Sequence, residues 1–304
     1  MIKVGDLTIK RSPFFYVGDK YKLISQLKDN FPEDIERFIE PFCGGGSVFL
    51  NVDAKSYLLN DIDSYVINLH KYLISSSVKP DEFWDEIKTN IEKYNLSATF
   101  MGRDIPKEFR KEYVKTYFAK FNKESYMLLR KDFNKNKENM ALLYMLLVYG
   151  FNRMLRFNKK GEFNLPVGNV DFNNNVANAL NSYFAYVVDK DIELYNMDFQ
   201  EFIKKVKPTE NDFVYLDPPY LITCSEYNKL WNEDSEIRLI NFLDELDSRN
   251  IKFAVSNVLW HRKKYNGTFN EWAKKYNIVK IQSNYISYHD NSEKDSYEVL
   301  VKNY

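Results

Sequence analysis

Cysteine and histidine are both scarce in this 304-residue chain, which contains two cysteines and three histidines. Cys43 and Cys224 provide no disulfide framework, and so few cysteines predict a protein of the reducing cytoplasm. The histidines, His70, His261 and His289, are scattered, and none belongs to a histidine, cysteine and carboxylate cluster with zinc spacing. We therefore expect each of them to be an ordinary surface or core residue, and we expect no metal.

Long apolar runs and net charge are also missing. No apolar stretch is long enough to span a membrane, and residues 1–6 lack the apolar region of a signal peptide. The 43 basic and 43 acidic residues give a formal net charge of zero. A chain with this balance that binds nucleic acid must concentrate its positive side chains in one place. The hydrophobic content of 44% and aromatic content of 16% indicate a packed globular core.

Positive side chains are concentrated between residues 103 and 137, where eleven Lys or Arg residues accompany five Asp or Glu residues. Aromatic residues are interleaved with them, and the spacing predicts helices. The solvated face of an ordinary helical layer would explain this pattern by itself. A second basic group, Arg153, Arg156, Lys159 and Lys160, favours nucleic acid, because basic side chains neutralise phosphates and aromatic side chains stack on bases.

The sequence Asp217-Pro218-Pro219-Tyr220 carries the most chemical information. Residues 213–216 predict a short buried strand, which the two prolines end. Ligands bind at the carboxyl ends of strands in open α/β sheets. Asp217 and the Pro218 carbonyl could accept both hydrogens of a planar amine, while Tyr220 stacks on its ring with about 1–3 kcal/mol. The motif predicts an amine held for an approaching electrophile; a plain strand-to-loop turn is the alternative.

A glycine-rich turn follows a second candidate strand, residues 37–40. It reads Pro41-Phe42-Cys43-Gly44-Gly45-Gly46-Ser47, and glycines there permit a tight turn and close approach of the backbone to a ligand. The apolar residues 48–50 predict the start of a helix. The next strand, 57–59, leads to Asp61, and an acidic residue in this place commonly binds ribose hydroxyls. No Gly-Lys-Ser/Thr follows the glycines, so the spacing does not fit a P-loop.

Together these motifs resemble the Dam-type, or D12-class, DNA adenine methyltransferases, and most closely their phage-type members. The resemblance covers nearly the whole chain. Many relatives have Trp where Tyr16 stands, and some have Lys where Phe15 stands, which they use to read an outer base. The matching segments are Pro13–Lys20, Pro41–Leu50, Gly150–Asn158 with Gly161–Pro166, Asp217–Tyr220, Lys252–Asn257 and Tyr285–Ser287.

The resemblance implies an α/β fold. We expect a Rossmann-like core of the S-adenosylmethionine-dependent methyltransferases at residues 1–78 and 169–304, interrupted by a helical insertion. The insertion, 79–168, would recognise the target DNA and include a small hairpin near residues 158–161. Further strand candidates in the second part of the core are 192–195, 213–216, 252–256, 279–285 and 297–301.

The resemblance also implies a site. Asp217, Pro218 and Tyr220 would be catalytic, and S-adenosyl-L-methionine would be the cofactor. Asp198 could accept from the cofactor's adenine, or it could simply cap a helix, and the residues leave both readings open. The cofactor-binding residues would be Tyr16, Lys20, Pro41, Phe42, Gly44, Gly46, Asp61, Asp198, Phe199 and Asp217, and the DNA-binding residues Arg130, Phe151, Asn152, Met154, Arg156, Asn158, Lys159 and Lys160.

The predicted function is adenine-specific DNA methylation: a methyl group passes from S-adenosylmethionine to the exocyclic amine of an adenine flipped out of duplex DNA. Arg156 occupies the position of a guanine-reading arginine in the family, next to Met154. This favours GATC as the target, with a longer site containing GAT as the alternative, unless Arg156 only clamps phosphate. Double-stranded DNA would be the one partner, without a membrane or an obligate protein partner. The location would be a bacterial cytoplasm or, for a phage enzyme, that of its host.

Three other functions are compatible with parts of this pattern. Methylation of the cytosine amine uses the same geometry, but relatives that do so usually carry Ser in place of Asp217. Methyltransferases of RNA or of protein glutamine usually have Asn there, and a much shorter gap between glycine turn and catalytic motif. A catalytically dead DNA-binding protein of the same fold is disfavoured because Lys20, Asp61, Asp217 and Tyr220 are all intact.

Overall fold

A sheet of eight strands forms the centre of the computed structural model, which describes residues 3–4, 7–223, 231–282 and 296–304. A separate pair of short strands, β1 (Lys3–Val4) and β2 (Leu7–Thr8), precedes it. The main sheet has the strand order β5 (Asp191–Tyr195), β4 (Ser56–Asn60), β3 (Arg37–Glu40), β6 (Phe213–Leu216), β7 (Lys252–His261), β10 (Ser296–Lys302) and β9 (Asn277–Ile281), with β8 (Lys264–Tyr265) paired to the end of β7.

The five strands from β5 to β7 run parallel, and β10 lies antiparallel between β7 and β9. The sheet is covered on both faces, and strand β6 illustrates this, because all four of its residues are buried. Phe213 and Tyr215 belong to the hydrophobic cluster on one face, and Val214 and Leu216 to the cluster on the other. Continuous apolar runs of this kind are typical of parallel strands between two helical layers.

Helices pack on both faces of this sheet. The clusters of buried side chains divide them into two layers. One layer contains α1 (Ile24–Lys28), α2 (Ser64–Ser76), α3 (Pro80–Lys93), α5 (Tyr117–Lys135), α6 (Met140–Tyr149) and α7 (Asn174–Val187), with the short α4 (Lys107–Glu112) before α5; the other contains α8 (Phe199–Val206), α9 (Glu233–Ser248) and α10 (Gly267–Ala273). No helix within the described ranges is both long and apolar enough to cross a membrane.

Helix α6 is the centre of the larger helical layer. The Asn139 side chain accepts a hydrogen bond from the backbone N–H of Leu142 and so caps its first turn. Residues 141–149 are all buried, which is expected for a helix that is hydrophobic on every side. The Tyr144 hydroxyl donates to the Pro13 carbonyl at 3.0 Å. Helix α6 thereby connects the predicted insertion to the N-terminal motif.

The order in which strands are added to the sheet reverses between β3 and β6. From β3 the chain adds β4 and then β5 on one side, and it returns to place β6 on the other side. The loops that follow β3 and β6 therefore lie in one crevice at the carboxyl edge of the sheet, where ligands bind in such folds. These loops are the glycine turn, residues 41–47, and the Asp217–Tyr220 motif. The predicted α/β fold is confirmed.

Most strand predictions are confirmed, and one helix prediction is wrong. The strands predicted at 192–195, 213–216 and 297–301 are present, and the strand predicted at 252–256 continues to His261. The predicted helix after the glycine turn is only a 3₁₀ turn, Phe49–Asn51, because Val52 is already extended and leads to β4. Strand β9 ends at Ile281, and the remainder of the strand predicted at 279–285 and the 285–287 segment lie outside the described residues.

Residues 79–168 are mainly helical, and their last part forms the predicted hairpin. Phe157 pairs with Phe163, and Gly150 with Val167, in isolated antiparallel bridges. The helices of this segment and the sheet contribute to one hydrophobic cluster. Because no separate core marks the boundaries, the division into a catalytic core and a recognition insertion stays a prediction.

Candidate functional site

The predicted catalytic motif, Asp217–Tyr220, lies against the N-terminal motif. Strand β6 ends at Leu216, and the next residue, Asp217, forms an ion pair in which Lys20 Nζ lies 2.7 Å from Oδ2. The Tyr220 hydroxyl donates to Asp217 Oδ1 at 2.7 Å, and Lys20 Nζ lies 5.1 Å from the centre of the Tyr220 ring. Lys20 is buried, with a side chain 5% exposed. Three residues that the sequence predicted for the site are thus in direct contact.

Asp61 lies in the same crevice, bonded to the glycine turn. It follows β4, and its carboxylate accepts hydrogen bonds from the backbone N–H groups of Gly44 and Asp63, both at 2.9 Å. Burial raises the pKa of Asp61 from 3.8 to about 6, although these two backbone bonds oppose the change. The carboxylate therefore links the end of β4 to the glycine turn, and it titrates close to neutral pH.

The glycine turn can be built only from glycine at two positions. Gly46 has a φ of +74°, and a Cβ on it would overlap the Phe49 ring and lie 2.8 Å from His70 Cε1. A Cβ on Gly45 would lie 2.8 Å from Tyr16 Cβ. The turn therefore packs directly against Tyr16, one of the predicted cofactor-binding residues.

His70 is hydrogen-bonded to this turn, a contact that the sequence did not indicate. It is fully buried in α2, with Nε2 2.8 Å from the Gly44 carbonyl oxygen and Nδ1 3.3 Å from the Tyr183 hydroxyl. Burial lowers the pKa of His70 to about 4, so the ring is neutral at pH 7. Since a carbonyl only accepts, Nε2 carries the hydrogen, and Nδ1 accepts from Tyr183.

The side chains of Asp198 and Phe199 both make contacts with other residues of the protein. The Asp198 side chain accepts from a backbone N–H in the first turn of α8, and it forms an ion pair with Arg238 at 2.7 Å. This geometry favours the helix-cap reading of Asp198. The Phe199 ring is buried, with its centre 5.3 Å from that of Phe42 and 6.1 Å from that of Trp231. Phe199 thus supports Phe42 in the glycine turn.

The structure adds to the site two buried glutamates that the sequence analysis did not predict. Glu40 ends β3, and burial together with the nearby Asp217 carboxylate raises its pKa well above the ordinary value. Glu298, on β10, has Oε1 3.3 Å from the Tyr220 hydroxyl and 3.8 Å from Lys20 Nζ. The Oε2 atoms of both side chains lack a hydrogen-bond partner among the described residues. An acidic residue inside an apolar strand was the signal in the sequence for each.

The turn after α6 presents two predicted DNA-binding residues. Phe151 is 50% exposed and Asn152 is also exposed. Asn152 and Arg153 are both left-handed, with φ values of 53° and 51°. The Arg153 guanidinium lies over the Phe15 ring, 4.1 Å from its centre. This contact places the turn beside the N-terminal motif, and Phe15 itself is buried.

The hairpin contains most of the other predicted DNA-binding residues. Arg156 donates from Nε to Asn164 Oδ1 and from Nη2 to the Asn164 carbonyl, both at 2.9 Å. The Asn158 side chain is part of the turn itself, since its Oδ1 accepts from the backbone N–H of Lys160 at 2.9 Å. Lys159 and Lys160 are exposed at the tip.

Arg130 and Met154 lie at the base of this hairpin. Arg130 Nη1 donates to the Leu165 carbonyl at 3.2 Å, and Met154 packs partly buried against the core. Both residues therefore help to hold the hairpin on the helical layer. Within the part of the chain that the structure covers, no group of three or more His, Cys, Asp or Glu side chains could hold a metal ion.

Residues 16–286 match the family of D12 class N6 adenine-specific DNA methyltransferases. Among curated relatives, modification methylase StsI of Streptococcus sanguinis is 34% identical over 97% of this chain and 43% of its own length. Type II methyltransferase M.FokI of Planomicrobium okeanokoites is 35% identical with the same coverage. Type II methyltransferase M.MjaIII of Methanocaldococcus jannaschii is 30% identical over 96% of this chain and 99% of its own length. The chain thus spans less than half of the first two relatives.

The buried His70 predicts how stability depends on pH. Its folded pKa of about 4 lies below the ordinary 6.5, so below pH 6.5 the unfolded chain binds a proton that the folded chain does not. The free energy of unfolding therefore has its full value with respect to His70 above pH 6.5, and it decreases as the pH falls towards 4. At pH 5 we expect a loss of about 2 kcal/mol relative to pH 7.

Urea unfolding of the parent and of His70→Gln at both pH values measures this effect. Gln can donate to the Gly44 carbonyl but does not titrate, so its free energy of unfolding should change less between pH 7 and pH 5. The same pH dependence in both proteins would contradict the assignment to His70.

Proposed function

Since the chain belongs to the D12 class of N6 adenine-specific DNA methyltransferases, we propose that it transfers a methyl group from S-adenosyl-L-methionine to the exocyclic amine of an adenine in duplex DNA. One observation carries the proposal. The Asp217–Tyr220 motif lies at the switch point of the sheet, in contact with Lys20 and in the same crevice as Asp61 and the glycine turn. This arrangement combines an amine acceptor with a nucleoside-binding crevice.

The charges of the crevice support this cofactor. The carboxyl side chains of Asp61, Asp217 and Glu298 are present there with one buried lysine, Lys20. Glu40 is not counted among these charges, because its raised pKa favours the neutral form. Such an excess of acidic groups suits a ligand that carries a sulfonium and an ammonium group. The buried Oε2 atoms of Glu40 and Glu298, without partners among the residues described, leave acceptor capacity in the crevice. When bound, the cofactor would supply an electrophilic methyl group.

We assign the cofactor contacts as follows. The Asp61 carboxylate holds the ribose hydroxyls, and Lys20 pairs with the carboxylate of the methionine part. Tyr16 offers a stacking face beside the glycine turn, against which it packs. Pro41, Phe42, Gly44 and Gly46 provide the wall of the crevice by backbone approach. Phe199 packs on Phe42 and supports it, while Asp198 caps α8 and pairs with Arg238.

Catalysis then needs acceptors at the amine. Flipping the adenine out of the stack costs a few kcal/mol. Tyr220 stacks on the ring, while Asp217 and the Pro218 carbonyl accept the two amine hydrogens and draw the nitrogen towards tetrahedral geometry. These contacts would free the nitrogen lone pair to accept the methyl group that the bound cofactor supplies, with positive charge developing on the nitrogen before one amine proton passes to solvent. Preorganised acceptors stabilise this developing positive charge more than they stabilise the ground state.

Backbone strain supports a DNA contact at the turn after α6. Consecutive left-handed residues such as Asn152 and Arg153 cost of the order of 1–3 kcal/mol each, and such strain concentrates at functional sites. Phe151, which is 50% exposed, is positioned there to fill the space that a flipped base leaves. We therefore propose that this turn enters the duplex beside the target adenine.

The hairpin supports base reading by Arg156. Its guanidinium is fixed by two hydrogen bonds to Asn164, which leaves Nη1 and the second hydrogen of Nη2 for a bidentate contact with guanine. Lys159 and Lys160, at the exposed tip, suit phosphate contacts. With Met154 close in sequence for a thymine methyl, we propose GATC as the target, and a longer site containing GAT as the alternative.

The names of the relatives support an inference about the biological setting. Their names as modification methylases support a place in a restriction-modification system. DNA as the substrate implies action in a bacterial cytoplasm, or in that of a host cell if a phage encodes the chain. Asp217 and the family argue against methylation of the cytosine amine.

Asp217→Ala tests the chemistry. The purified chain, given tritium-labelled S-adenosylmethionine, should label duplex DNA but neither RNA nor protein. The variant should lose about 100-fold or more in rate, since a lost acceptor acts on the transition state. Its DNA affinity should stay close to that of the parent, and melting curves verify that it is folded, because the buried Lys20 loses an ion-pair partner. A rate within tenfold of the parent would refute the role of Asp217, and label in RNA or protein would refute the function.

The raised pKa of Asp61 predicts that cofactor affinity depends on pH. A protonated Asp61 accepts fewer hydrogen bonds from ribose, so binding should weaken as the pH falls through about 6. Titration calorimetry should give a Kd about tenfold higher at pH 5 than at pH 7. Asp61→Asn should bind weakly at both values. A parent Kd that is constant over this range would contradict the ribose contact.

Variants of the hairpin separate base reading from phosphate binding. Arg156→Ala should relax the preference at one guanine, a contact worth about 1–3 kcal/mol of discrimination. Lys159→Ala and Lys160→Ala should instead weaken binding to all sequences and reduce its salt dependence. Methylation rates on single-base variants of GATC are the measurement. If Arg156→Ala slows every substrate by one factor, Arg156 is a phosphate clamp.

A further inference from the structure

The Tyr220 hydroxyl lies between two carboxylates. It is 2.7 Å from Asp217 Oδ1 and 3.3 Å from Glu298 Oε1. A phenol has one hydrogen and so donates to one carboxylate at a time. The two distances show that it donates to Asp217 in this structure, with Glu298 as the second acceptor within reach.

Glu298 is held at this place by the sheet. It lies on β10, and the pairing with β7 shifts register between Tyr297 and Glu298. Irregularities of this kind often redirect a side chain next to an active site. Glu298 is 1% exposed, and its Oε2 has no hydrogen-bond partner within the described ranges. A buried carboxylate with an oxygen that has no partner costs folding free energy, and a role in the site would account for its presence.

Both oxygens of Asp217 are already bonded. Lys20 Nζ lies 2.7 Å from Oδ2, and Tyr220 donates to Oδ1. The proposed reaction requires Asp217 to accept a hydrogen from the target amine. Under the proposed function, Lys20 turns to the carboxylate of the cofactor and releases Oδ2. Tyr220 must also release Oδ1 if its ring is to stack on the base.

We propose that Glu298 is a positioning residue that takes over the hydrogen bond of Tyr220. When Asp217 engages the amine, the Tyr220 hydroxyl turns its hydrogen from Asp217 Oδ1 to Glu298 Oε1. No covalent bond changes and no proton leaves the phenol. The ring is thereby held at a fixed angle for stacking, and the partly buried hydroxyl keeps a carboxylate acceptor. This inference rests on the proposed function, because it needs an amine at Asp217.

Glu298 has a second possible use, as a charge partner for Lys20 at 3.8 Å. The two uses have different consequences. A charge partner would act on the cofactor contact of Lys20, so its loss would change cofactor affinity whether or not Tyr220 has a hydroxyl. A hydrogen-bond acceptor for Tyr220 acts only through that hydroxyl. A double-mutant cycle with Tyr220→Phe distinguishes them.

The cycle combines Glu298→Met, which has a similar length but no acceptor, with Tyr220→Phe. Glu298→Met should lower kcat about tenfold, equivalent to a hydrogen bond of ordinary strength. Its cofactor Kd, by calorimetry, should stay within about twofold of the parent. In the Tyr220→Phe background, the same substitution should cost no further kcat. Glu298→Gln keeps a carbonyl acceptor and should recover most of the parent kcat.

Glu236 is the matched control, because it is also a fully buried glutamate and accepts from Asn257 and Asn266. Glu236→Met should lower the melting temperature, and any kcat loss should be equal with and without the Tyr220 hydroxyl. Melting curves verify that each variant is folded, and Glu298→Ala replaces the Met variant if that one unfolds.

Equal kcat losses from Glu298→Met in the parent and in Tyr220→Phe would overturn the proposal, as would a loss that appears in cofactor Kd alone. These outcomes leave the proposed function intact, since the parent still methylates DNA. A parent that transfers no methyl group to DNA would refute the proposed function and, with it, this inference.

Discussion

The structure depends on where one carboxylate is placed. Asp217 follows a strand that is buried on both faces, and it meets Lys20 and Tyr220 at hydrogen-bonding distance. A carboxylate in a crevice is tolerated only when charged and hydrogen-bonding partners compensate for lost solvent. The same partners fix its orientation towards the place where an amine would enter. The proposed chemistry requires no more of Asp217 than this fixed orientation and the exchange of its partners.

Several segments that are distant from one another in the sequence support that crevice. The reversal of strand order brings the glycine turn and the proposed catalytic motif together. His70 supports the turn from α2, and α6 connects the N-terminal motif to the turn that carries Phe151 through the Tyr144 hydroxyl. The helical segment and the sheet share one hydrophobic cluster. A surface that is continuous with the core in this way, as the proposed DNA-recognition surface is, can be positioned rigidly relative to the proposed cofactor crevice.

Local sequence signals predicted the parts of the site that are local in the chain. The apolar run before Asp217 and the glycines before Gly46 were sufficient to locate both loops, because strand ends and tight turns are determined by adjacent residues. Long-range partners were not predictable. His70 contacts Gly44, and Glu298 contacts Tyr220, across 26 and 78 residues. The 3₁₀ turn in place of a helix after the glycines likewise reflects the short path to β4, which residue types alone do not reveal.

A crystal structure of the chain with a duplex containing the target adenine and a non-reactive analogue of S-adenosylmethionine is the most direct test of the role of Asp217. The account predicts a flipped adenine whose amine lies within hydrogen-bonding distance of Asp217 and of the Pro218 carbonyl, with Lys20 at the cofactor carboxylate. A complex in which Asp217 is still bonded to both Lys20 and Tyr220 while the adenine amine is bound elsewhere would contradict it.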